Sequence, residues 1–334
     1  MGGEVRLAVD VHVNGESDSV DEIGDLVAGL VADPPTISPR YLYDAVGCDL
    51  YERITELDEY YQARTEMQIL AREVDGIMSR HRPDELVELG SGSSRKTRAL
   101  LDAMVRIGAG RRYVPFDVSE QALRDAAHDL LADFPLLEIH AIAGDFDHHL
   151  RNVPPPGAGV RRMLAFLGGT IGNIPPERRT VFLGDVASML GPGDVLLMGV
   201  DLDSDPERTR RAYDDGAGVT AEFNRNVLAA VNRELDADFI PAAFDHVAVW
   251  NPVERRVEMR LRATRPMRVR LERADVDLSF APGDEILTEI CTKFNRPGLQ
   301  EIYQAVGLEL IEWHQDPEER FAVTVARRAP GPGD

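Results

Sequence analysis

The chain of 334 residues carries 37 lysine and arginine residues against 58 aspartate and glutamate residues, so its formal net charge is −21. This surplus of negative charge repels phosphate backbones and anionic lipid surfaces, which argues against nucleic acid and membrane surfaces as partners. Its 43% of hydrophobic residues can form a full core, and a chain of this length predicts about two domains.

Strands and helices alternate between about residues 66 and 203. The predicted strands are 85–90, 112–117, 137–143, 163–167 and 194–200, and the predicted helices between them are 95–107 and 121–132. Alternation of this kind is typical of a parallel sheet with helices on both faces. This part of the chain is therefore predicted to be a doubly wound α/β domain.

The pattern changes after Asp205, which opens a helix as an N-cap residue followed by proline. A second helix is predicted over 219–234, and apolar residues then alternate with polar ones over 257–263, 267–271 and 276–280. A period of two is typical of antiparallel strands with one solvated face, so this block predicts a smaller α+β module. A predicted helix at 299–306, followed by predicted strands at 308–313 and 321–326, resumes the α/β pattern of residues 66–203.

Three successive strand ends in the α/β domain carry glycine or acidic residues. The first continues into Glu88-Leu-Gly90-Ser-Gly92, where glycines allow the backbone to approach a nucleotide closely. The second ends in Asp117, a residue type that binds ribose hydroxyls, and the third in Gly144-Asp145-Phe146, which offers a carboxylate for an exocyclic amine and a ring for a base. The structural alternatives are a tight turn, a helix cap at Asp145 and core packing of Phe146.

The type of nucleotide follows from what the glycine segment lacks. A dinucleotide fingerprint has a third glycine where this chain has Arg95, and no P-loop sequence is present. A ligand with adenine and ribose but no phosphate fits better, and S-adenosylmethionine is the common ligand of this kind. The last two strands agree, because methyltransferase sheets typically end in a reversed hairpin. These features predict a Rossmann-like methyltransferase sheet.

Metal and nucleophile motifs are weak. Asp201-x-Asp203-x-Asp205 begins like a calcium loop, but Pro206 stands where glycine is required and Ala212 where glutamate is required. Asp147-His148-His149 lacks a third ligand at useful spacing, so no metal is expected. The chain has no Gly-x-Ser-x-Gly elbow.

The compartment is indicated by the cysteines and by the apolar runs. Cys48 and Cys291 cannot form a disulfide framework, which indicates a reducing environment. No run approaches the roughly 20 apolar residues of a membrane helix, and residues 1–21 lack a secretory pattern. We expect a cytoplasmic monomer whose partner is a small-molecule substrate.

Several segments occur in the order seen in one family. They are Tyr43-Asp-Ala-Val-Gly, Glu59-Tyr60-Tyr61 with Arg64-Thr65-Glu66, Glu88-Leu-Gly-Ser-Gly, Pro115-Phe-Asp117, Gly168-Gly-Thr-Ile-Gly-Asn173, Ala212-Tyr213-Asp-Asp, Phe223-Asn-Arg-Asn and Leu287-Thr-Glu289. On these segments the chain resembles the histidine Nα-methyltransferases of ergothioneine biosynthesis, especially the actinobacterial ones, from about residue 24 to residue 327. The resemblance implies trimethylation of the α-amine of L-histidine to hercynine.

The resemblance also implies an arrangement of domains and sites. A catalytic domain would comprise 65–203 and 294–330, and a discontinuous substrate-binding domain would comprise 1–64 and 204–293. The cofactor would be held by Gly90, Lys96, Asp117, Asp145 and Phe146, with Tyr43 contacting it at the domain junction. The amine and carboxylate of the amino acid would be positioned by Tyr60, Asn173 and Tyr213, and its imidazole would face Glu289 and Cys291.

One position departs from the family. Cys291 stands where the family has serine, and a thiol is a weaker hydrogen-bond partner than a hydroxyl. The departure leaves open a looser recognition of imidazole, or the same methylation of another aromatic amino acid such as tryptophan or tyrosine. A third alternative is a homologue that binds the cofactor without catalysis. Met259 also matches a family position near the side-chain pocket, with core packing as the alternative.

Overall fold

The computed structural model describes residues 6–12, 16–92, 95–146 and 148–330, apart from the side chains of residues 16–22 and of Arg95. Its strands in chain order are β1 (Leu7–Val11), β2 (Glu85–Leu89), β3 (Arg112–Asp117), β4 (Glu138–Ala143), β5 (Arg162–Phe166), β6 (Val195–Asp201), β7 (Phe244–Asn251), β8 (Arg256–Ala263), β9 (Met267–Leu271), β10 (Val276–Phe280), β11 (Glu285–Thr292), β12 (Leu308–Gln315) and β13 (Phe321–Arg328). Its α-helices are α1 (Glu16–Leu30), α2 (Ala45–Thr55), α3 (Tyr61–His81), α4 (Arg95–Arg106), α5 (Glu120–Asp133), α6 (Pro176–Ser188), α7 (Pro206–Arg211), α8 (Val219–Leu235) and α9 (Arg296–Ala305).

The chain divides into two compact units. The larger unit comprises Met1–Val13, Thr65–Leu202 and Phe294–Asp334, and the smaller unit comprises Asn14–Arg64 and Asp203–Lys293. Both units are therefore built from separated stretches of the chain.

The larger unit contains an eight-stranded sheet in the order β1-β4-β3-β2-β5-β6-β13-β12. Strands β1 to β6 run parallel, whereas β13 is antiparallel to β6 and β12 is antiparallel to β13. The predicted α/β sheet and its reversed C-terminal hairpin are confirmed. Residues on the parallel strands are buried on both faces, which explains why these strands read as continuous apolar runs.

Two hydrophobic cores lie on the opposite faces of this sheet. Alternate residues of β2 contribute to different cores, with Leu86 in one and Val87 in the other. Helices α3, α4 and α5 pack into the first core, and α6 and α9 pack into the second. This alternation places helices on both faces and makes the unit doubly wound.

The predicted smaller domain included all of residues 1–64, but the N-terminal strand in this range belongs to the larger unit. Leu7–Val11 forms β1, which pairs in parallel with Ile139–Ala143 at the edge of the larger sheet. The backbone of β1 satisfies hydrogen-bonding groups that β4 would otherwise expose at a sheet edge. Two of its five residues are half-buried and three are exposed, so their own pattern contains little information about which sheet they join.

The smaller unit combines helices with two antiparallel sheets, in the orders β11-β8-β7 and β10-β9. Helices α2 and α8 belong to one hydrophobic core with the apolar side chains of these strands. The predicted solvated face of β8 is interrupted at Glu258, which is buried. This carboxylate is stabilised there by ion pairs with Arg256 and Arg260.

Glu312 on β12 joins the C-terminal end of α3 to the sheet. Its carboxylate accepts hydrogen bonds from Arg80 Nε at 2.8 Å and from His81 Nε2 at 2.7 Å, and it lies 2.7 Å from His314 Nε2. Burial raises the pKa of Glu312, but the hydrogen bonds from Arg80, His314 and His81 outweigh burial and lower the pKa to about 2.

Replacing Glu312 by glutamine is expected to lower the free energy of unfolding by about 1–2 kcal/mol at pH 7. Because the folded-state pKa lies below the unfolded one, this contribution is present above about pH 4.5 and is lost as the pH falls towards 2. Urea unfolding at pH 7 and at pH 4 measures the difference. Glu309→Gln is the control, since Glu309 and its partner Arg327 are about half exposed and the expected change is below about 0.5 kcal/mol. Equal effects of the two substitutions would contradict the prediction.

None of the helices in the described part of the chain is long and apolar enough to cross a membrane.

Candidate active site

The glycine turn after β2 has a backbone that other residues adopt with difficulty. Gly90 and Gly92 have φ values of +70° and +47°, in the left-handed region that glycine tolerates. A Cβ added to Gly92 would meet none of the atoms of the described residues within 4 Å. Ser93 and Ser94, which follow in the sequence, lie outside the described residues.

Asp117 binds this turn from the end of the neighbouring strand β3. Its Oδ2 accepts a hydrogen bond from Gly92 N at 2.9 Å, and its Oδ1 accepts one from Ser119 N at 3.1 Å. Burial raises the pKa of Asp117 above its ordinary value, although these backbone N–H groups act in the opposite direction. Each carboxylate oxygen keeps acceptor capacity for a ribose hydroxyl.

Asp145 and Phe146 follow β4, as the sequence predicts. Asp145 is buried and lies 3.3 Å from His148 Nδ1. The half-buried ring of Phe146 stacks on Phe116 with ring centroids 5.7 Å apart, and it meets Phe166 edge to face. A Cβ on Gly90 would lie 3.4 Å from the Phe146 ring. The glycine turn, the carboxylate of Asp117 and the ring of Phe146 therefore meet at the carboxyl edge of one sheet.

Lys96 has a carboxylate partner that was not predicted. Its Nζ lies 2.5 Å from Glu66 Oε2, and the fully buried Glu66 also accepts a hydrogen bond from Gly168 N at 3.0 Å. A Cβ on Gly199 would lie 1.9 Å from Glu66 Oε1, so this glycine makes room for the carboxylate. Glu66 stands in the family segment Arg64-Thr65-Glu66, which is the signal that singles it out.

The residues around the glycine turn fit an adenosyl ligand. Ser91 is buried, and its Oγ has no hydrogen-bond partner among the described residues. Such an orphaned hydroxyl is costly in a folded protein unless a ligand or water satisfies it. Together with the acceptor oxygens of Asp117, it provides polar groups that suit the hydroxyls of an adenosyl ligand.

The smaller unit contains a cluster of buried or half-buried tyrosines. Tyr51 Oη lies 3.4 Å from Tyr60 Oη, and the ring of Tyr51 meets that of Tyr43 edge to face, with centroids 5.6 Å apart. The ring of Tyr60 meets Tyr213 in the same way at 6.4 Å. Burial raises the pKa of both Tyr43 and Tyr60 well above the ordinary value, so these hydroxyls keep their protons at neutral pH.

Strand β11 brings three functional groups to this cluster. Glu289 and Cys291 are buried, and Lys293, which follows the strand, is buried as well. Lys293 Nζ donates hydrogen bonds to Tyr213 Oη at 2.9 Å and to Cys291 Sγ at 3.1 Å. Burial raises the pKa of Glu289 to about 8, with Lys293 opposing the shift.

Neither Lys293 nor Tyr51 was among the residues predicted for the site. The alternation of Glu289, Cys291 and Lys293 at a period of two is a signal for Lys293, because such residues share one face of a strand. Met259 lies opposite Glu289 in the register of β8 and β11 and is buried in the hydrophobic core of the smaller unit, and its place near the side-chain pocket stays a prediction.

Asn173 lies in the larger unit, whereas Tyr60 and Tyr213 lie in the smaller one. It ends a short 3-10 turn, Thr170–Asn173, that follows Gly168 and Gly169, whose φ values are +83° and +70°. The side chain of Asn173 is half-buried. Its predicted contact with the amino acid stays a prediction, as does the contact of Tyr43 with the cofactor.

The weak metal motifs have structural explanations. Asp205 caps α7, since its Oδ1 accepts a hydrogen bond from Glu207 N at 2.9 Å, and Asp203 pairs with Arg255 at 3.1 Å. Asp147 lies outside the described residues. Within the described ranges, no group of three or more His, Cys, Asp or Glu side chains is placed to hold a metal ion.

The buried carboxyl of Glu289 has a consequence for stability. In the folded state it stays protonated up to about pH 8, whereas in the unfolded chain it ionises near its ordinary pKa. Stability is therefore lost as the pH rises between about 4.5 and 8, by up to ~1.4 kcal/mol per pH unit.

Glu289→Gln removes this ionisation, so the variant is expected to become more stable than the parent protein between pH 5 and pH 8. Urea unfolding at pH 5, 6.5 and 8 measures the difference. Glu254→Gln, at an exposed turn of the same unit, is the control and should follow the parent at every pH. A constant difference between parent and Glu289→Gln would show that Glu289 does not titrate in this way.

The chain resembles known proteins over most of its length. The sequence model of the family described as "Histidine-specific methyltransferase, SAM-dependent" matches residues 23–328. The chain is 49% identical over 304 residues to "Histidine N-alpha-methyltransferase" of Mycolicibacterium smegmatis, an alignment that covers 91% of this chain and 94% of that protein. It is 44% identical over 324 residues to the protein of the same name from Mycobacterium tuberculosis, covering 97% and 100%. Among solved structures, an S-adenosylmethionine-dependent methyltransferase from Clostridium acetobutylicum aligns with a TM-score of 0.46 and 8% identity over 84% of this chain and 99% of that chain.

Proposed function

Because this chain belongs to the family of histidine-specific, S-adenosylmethionine-dependent methyltransferases, we propose that it methylates the α-amine of L-histidine. The family predicted from the sequence is confirmed. The choice of histidine as the substrate rests on Glu289. Its carboxyl is buried in the smaller unit, in which Cys291, Tyr60 and Tyr213 share one hydrophobic core. We propose trimethylation to hercynine as the complete reaction, in the pathway to ergothioneine.

We assign the cofactor to the larger unit. S-adenosylmethionine supplies a methyl group already activated by a sulfonium, so the tasks left to the protein are alignment and exclusion of water. Asp117 would bind the ribose hydroxyls and Phe146 would pack against the base. Asp145 would accept a hydrogen bond from the exocyclic amine. The ion pair with Glu66 gives Lys96 a fixed position beside the loop of Gly168.

We assign the amino acid to the smaller unit, and for Asn173 we keep the role at the amine that the resemblance implies. Tyr60 and Tyr213 offer hydroxyls that can orient the amine and carboxylate without adding full charge. Their ring faces tolerate the trimethylammonium that three transfers produce, through cation–π attraction. Glu289 would pair with a ring nitrogen and so select against apolar side chains, whose binding would leave its carboxyl unpaired.

The test is a panel of single amino acids, each incubated with the purified protein and S-adenosylmethionine and analysed by mass spectrometry. We expect histidine to gain three methyl groups. Methylation of tryptophan or tyrosine in place of histidine would assign the same chemistry to another substrate, as Cys291 leaves open. Cofactor binding without turnover of any amino acid would indicate a non-catalytic homologue.

We further propose that the enzyme is a cytoplasmic monomer that needs no metal. Size-exclusion chromatography tests the monomer and turnover in the presence of a chelator tests the independence of metal, and a dimer or a loss of turnover would contradict these two proposals.

A further inference from the structure

Lys293 is a buried cation in the cluster of the smaller unit, and its ammonium contacts at least two polar groups. Its Nζ lies 2.9 Å from Tyr213 Oη and 3.1 Å from Cys291 Sγ, and only 3% of the residue is exposed. Its ammonium also lies over the Tyr213 ring, 4.7 Å from the centroid. A charged ammonium with so little access to water is costly unless its partners accept its protons or balance its charge.

The groups around Cys291 determine how that charge is balanced. The titratable groups near the thiol include Glu289 and Lys293 from its own stretch of chain and Tyr43 and Tyr60 from the segments packed against it, and Tyr213 lies against Lys293. Burial keeps Tyr43 and Tyr60 protonated and raises the pKa of Glu289 to about 8. The Tyr213 hydroxyl and the Cys291 thiol both lie within hydrogen-bond distance of the ammonium, and a thiol is ordinarily the more acidic of the two groups.

An adjacent ammonium favours the thiolate form of a cysteine, because it neutralises the charge that ionisation creates. A thiolate accepts hydrogen bonds and donates none. A neutral imidazole needs an acceptor for its N–H and a donor for its other nitrogen. The thiolate of Cys291 would supply the acceptor, and the protonated carboxyl of Glu289 would supply the donor.

We propose that Lys293 is a positioning residue of the amino-acid site, which holds Cys291 as the thiolate that accepts a hydrogen bond from the ring N–H of the substrate. This inference rests on the proposed function for the identity of the substrate. It assigns a function to Cys291, because the thiolate, paired with the ammonium of Lys293, takes the place of the neutral serine hydroxyl that the family has at this position. Lys293 acts through Cys291 and is not itself assigned a contact with the substrate.

The first test measures the ionisation of Cys291 directly. The purified full-length protein is alkylated with iodoacetamide at a series of pH values, and modification of the Cys291 peptide is followed by mass spectrometry. We expect a midpoint below the roughly 8.5 of a free cysteine. Lys293→Met is expected to raise the midpoint by about one pH unit or more, and Lys293→Arg to restore it to within about half a unit.

Cys48 provides an internal control in the same samples. Its Sγ donates a hydrogen bond to Tyr43 O at 3.4 Å, and it lies on α2 rather than on the stretch of β11 that carries Cys291. Its alkylation profile should be the same in all three proteins. A midpoint for Cys291 at or above 8.5 in the unsubstituted protein would overturn the proposal even if Lys293→Met failed to fold. An unchanged midpoint in a folded Lys293→Met protein would overturn it as well.

The second test asks whether the thiolate serves substrate recognition. Lys293→Met is expected to raise KM for histidine about tenfold and to change kcat less than about threefold. With Cys291→Ser in the same chain, Lys293→Met should raise KM less than about threefold, because a hydroxyl does not ionise in this range. Equal increases in both backgrounds would mean that Lys293 acts through Tyr213, and the proposal would fail.

The two tests separate this proposal from the proposed function. The alkylation profile needs no substrate, so it stands whichever amino acid the panel identifies. If the panel assigns another substrate with a ring N–H, the KM comparison is made with that amino acid. Methylation of a substrate without a ring N–H would overturn the role of the thiolate even where the midpoint is low.

Discussion

Substitution of Asp117 by alanine is expected to weaken the binding of S-adenosylmethionine by about 100-fold or more. A charge-assisted hydrogen bond contributes about 1.5–3 kcal/mol, and the carboxylate is proposed to accept one from each ribose hydroxyl. The substitution also removes the acceptor of Gly92 N and Ser119 N, so the glycine turn loses the contacts that hold its shape. Isothermal titration calorimetry with the cofactor measures the change.

Asp102→Ala is the matched control for this experiment. Asp102 lies on the exposed face of α4 in the same unit, so its substitution changes the net charge equally without touching the strand end. Its effect on the affinity should be less than about twofold. If Asp117→Ala bound the cofactor as tightly as Asp102→Ala, the ribose would have to lie away from the end of β3.

Glu289→Ala is expected to lower kcat/KM for histidine by about 100-fold and to leave the affinity for S-adenosylmethionine within about twofold of the parent. Removal of a buried hydrogen-bonding group leaves the facing ring nitrogen unpaired, and an unpaired polar group costs about 1–3 kcal/mol, more where a charge develops. Steady-state kinetics with varied histidine measures the loss, and calorimetry measures the cofactor affinity.

The matched substitution in the smaller unit is Glu254→Ala, at the exposed turn between β7 and β8. It should leave both quantities unchanged within about twofold. A loss of less than about threefold on Glu289→Ala would contradict the assignment of this carboxyl to the imidazole. An equal loss of cofactor affinity would indicate general unfolding of the site, which circular dichroism then detects.

The parallel strands of the larger unit and the helices α4 and α5 were predictable from the sequence, whereas α3 and α6 were not predicted. Buried parallel strands are short apolar runs, so the prediction for 112–117 coincides with β3 and the others end within about two residues of the observed bounds. The strand β1 was not predictable in this way. Its five half-buried or exposed residues pair with a strand about 130 positions later, and only that pairing shows which sheet it joins.

The candidate site was predicted in part. The ends of β2, β3 and β4 follow directly from the order of elements, because parallel strands in a doubly wound sheet present their carboxyl ends at one edge. Glu66 and Lys293 were missed because a single acidic or basic residue in a helix or strand usually lies on a solvated face. What reveals them is burial and a partner distant in sequence, Gly168 for Glu66 and Tyr213 for Lys293.

The sequence by itself determined the family, the α/β class and the acidic character of the chain. Patterns of apolar residues and the order of motifs are properties of the sequence itself, so they can be recognised without knowledge of the packing. Only the tertiary structure decided that Lys293 contacts both Cys291 and Tyr213, and that Glu289 is buried deeply enough for its pKa to rise to about 8. The protonation of a side chain depends on desolvation and on neighbouring charges, and both are set by residues that the fold brings together from distant parts of the chain.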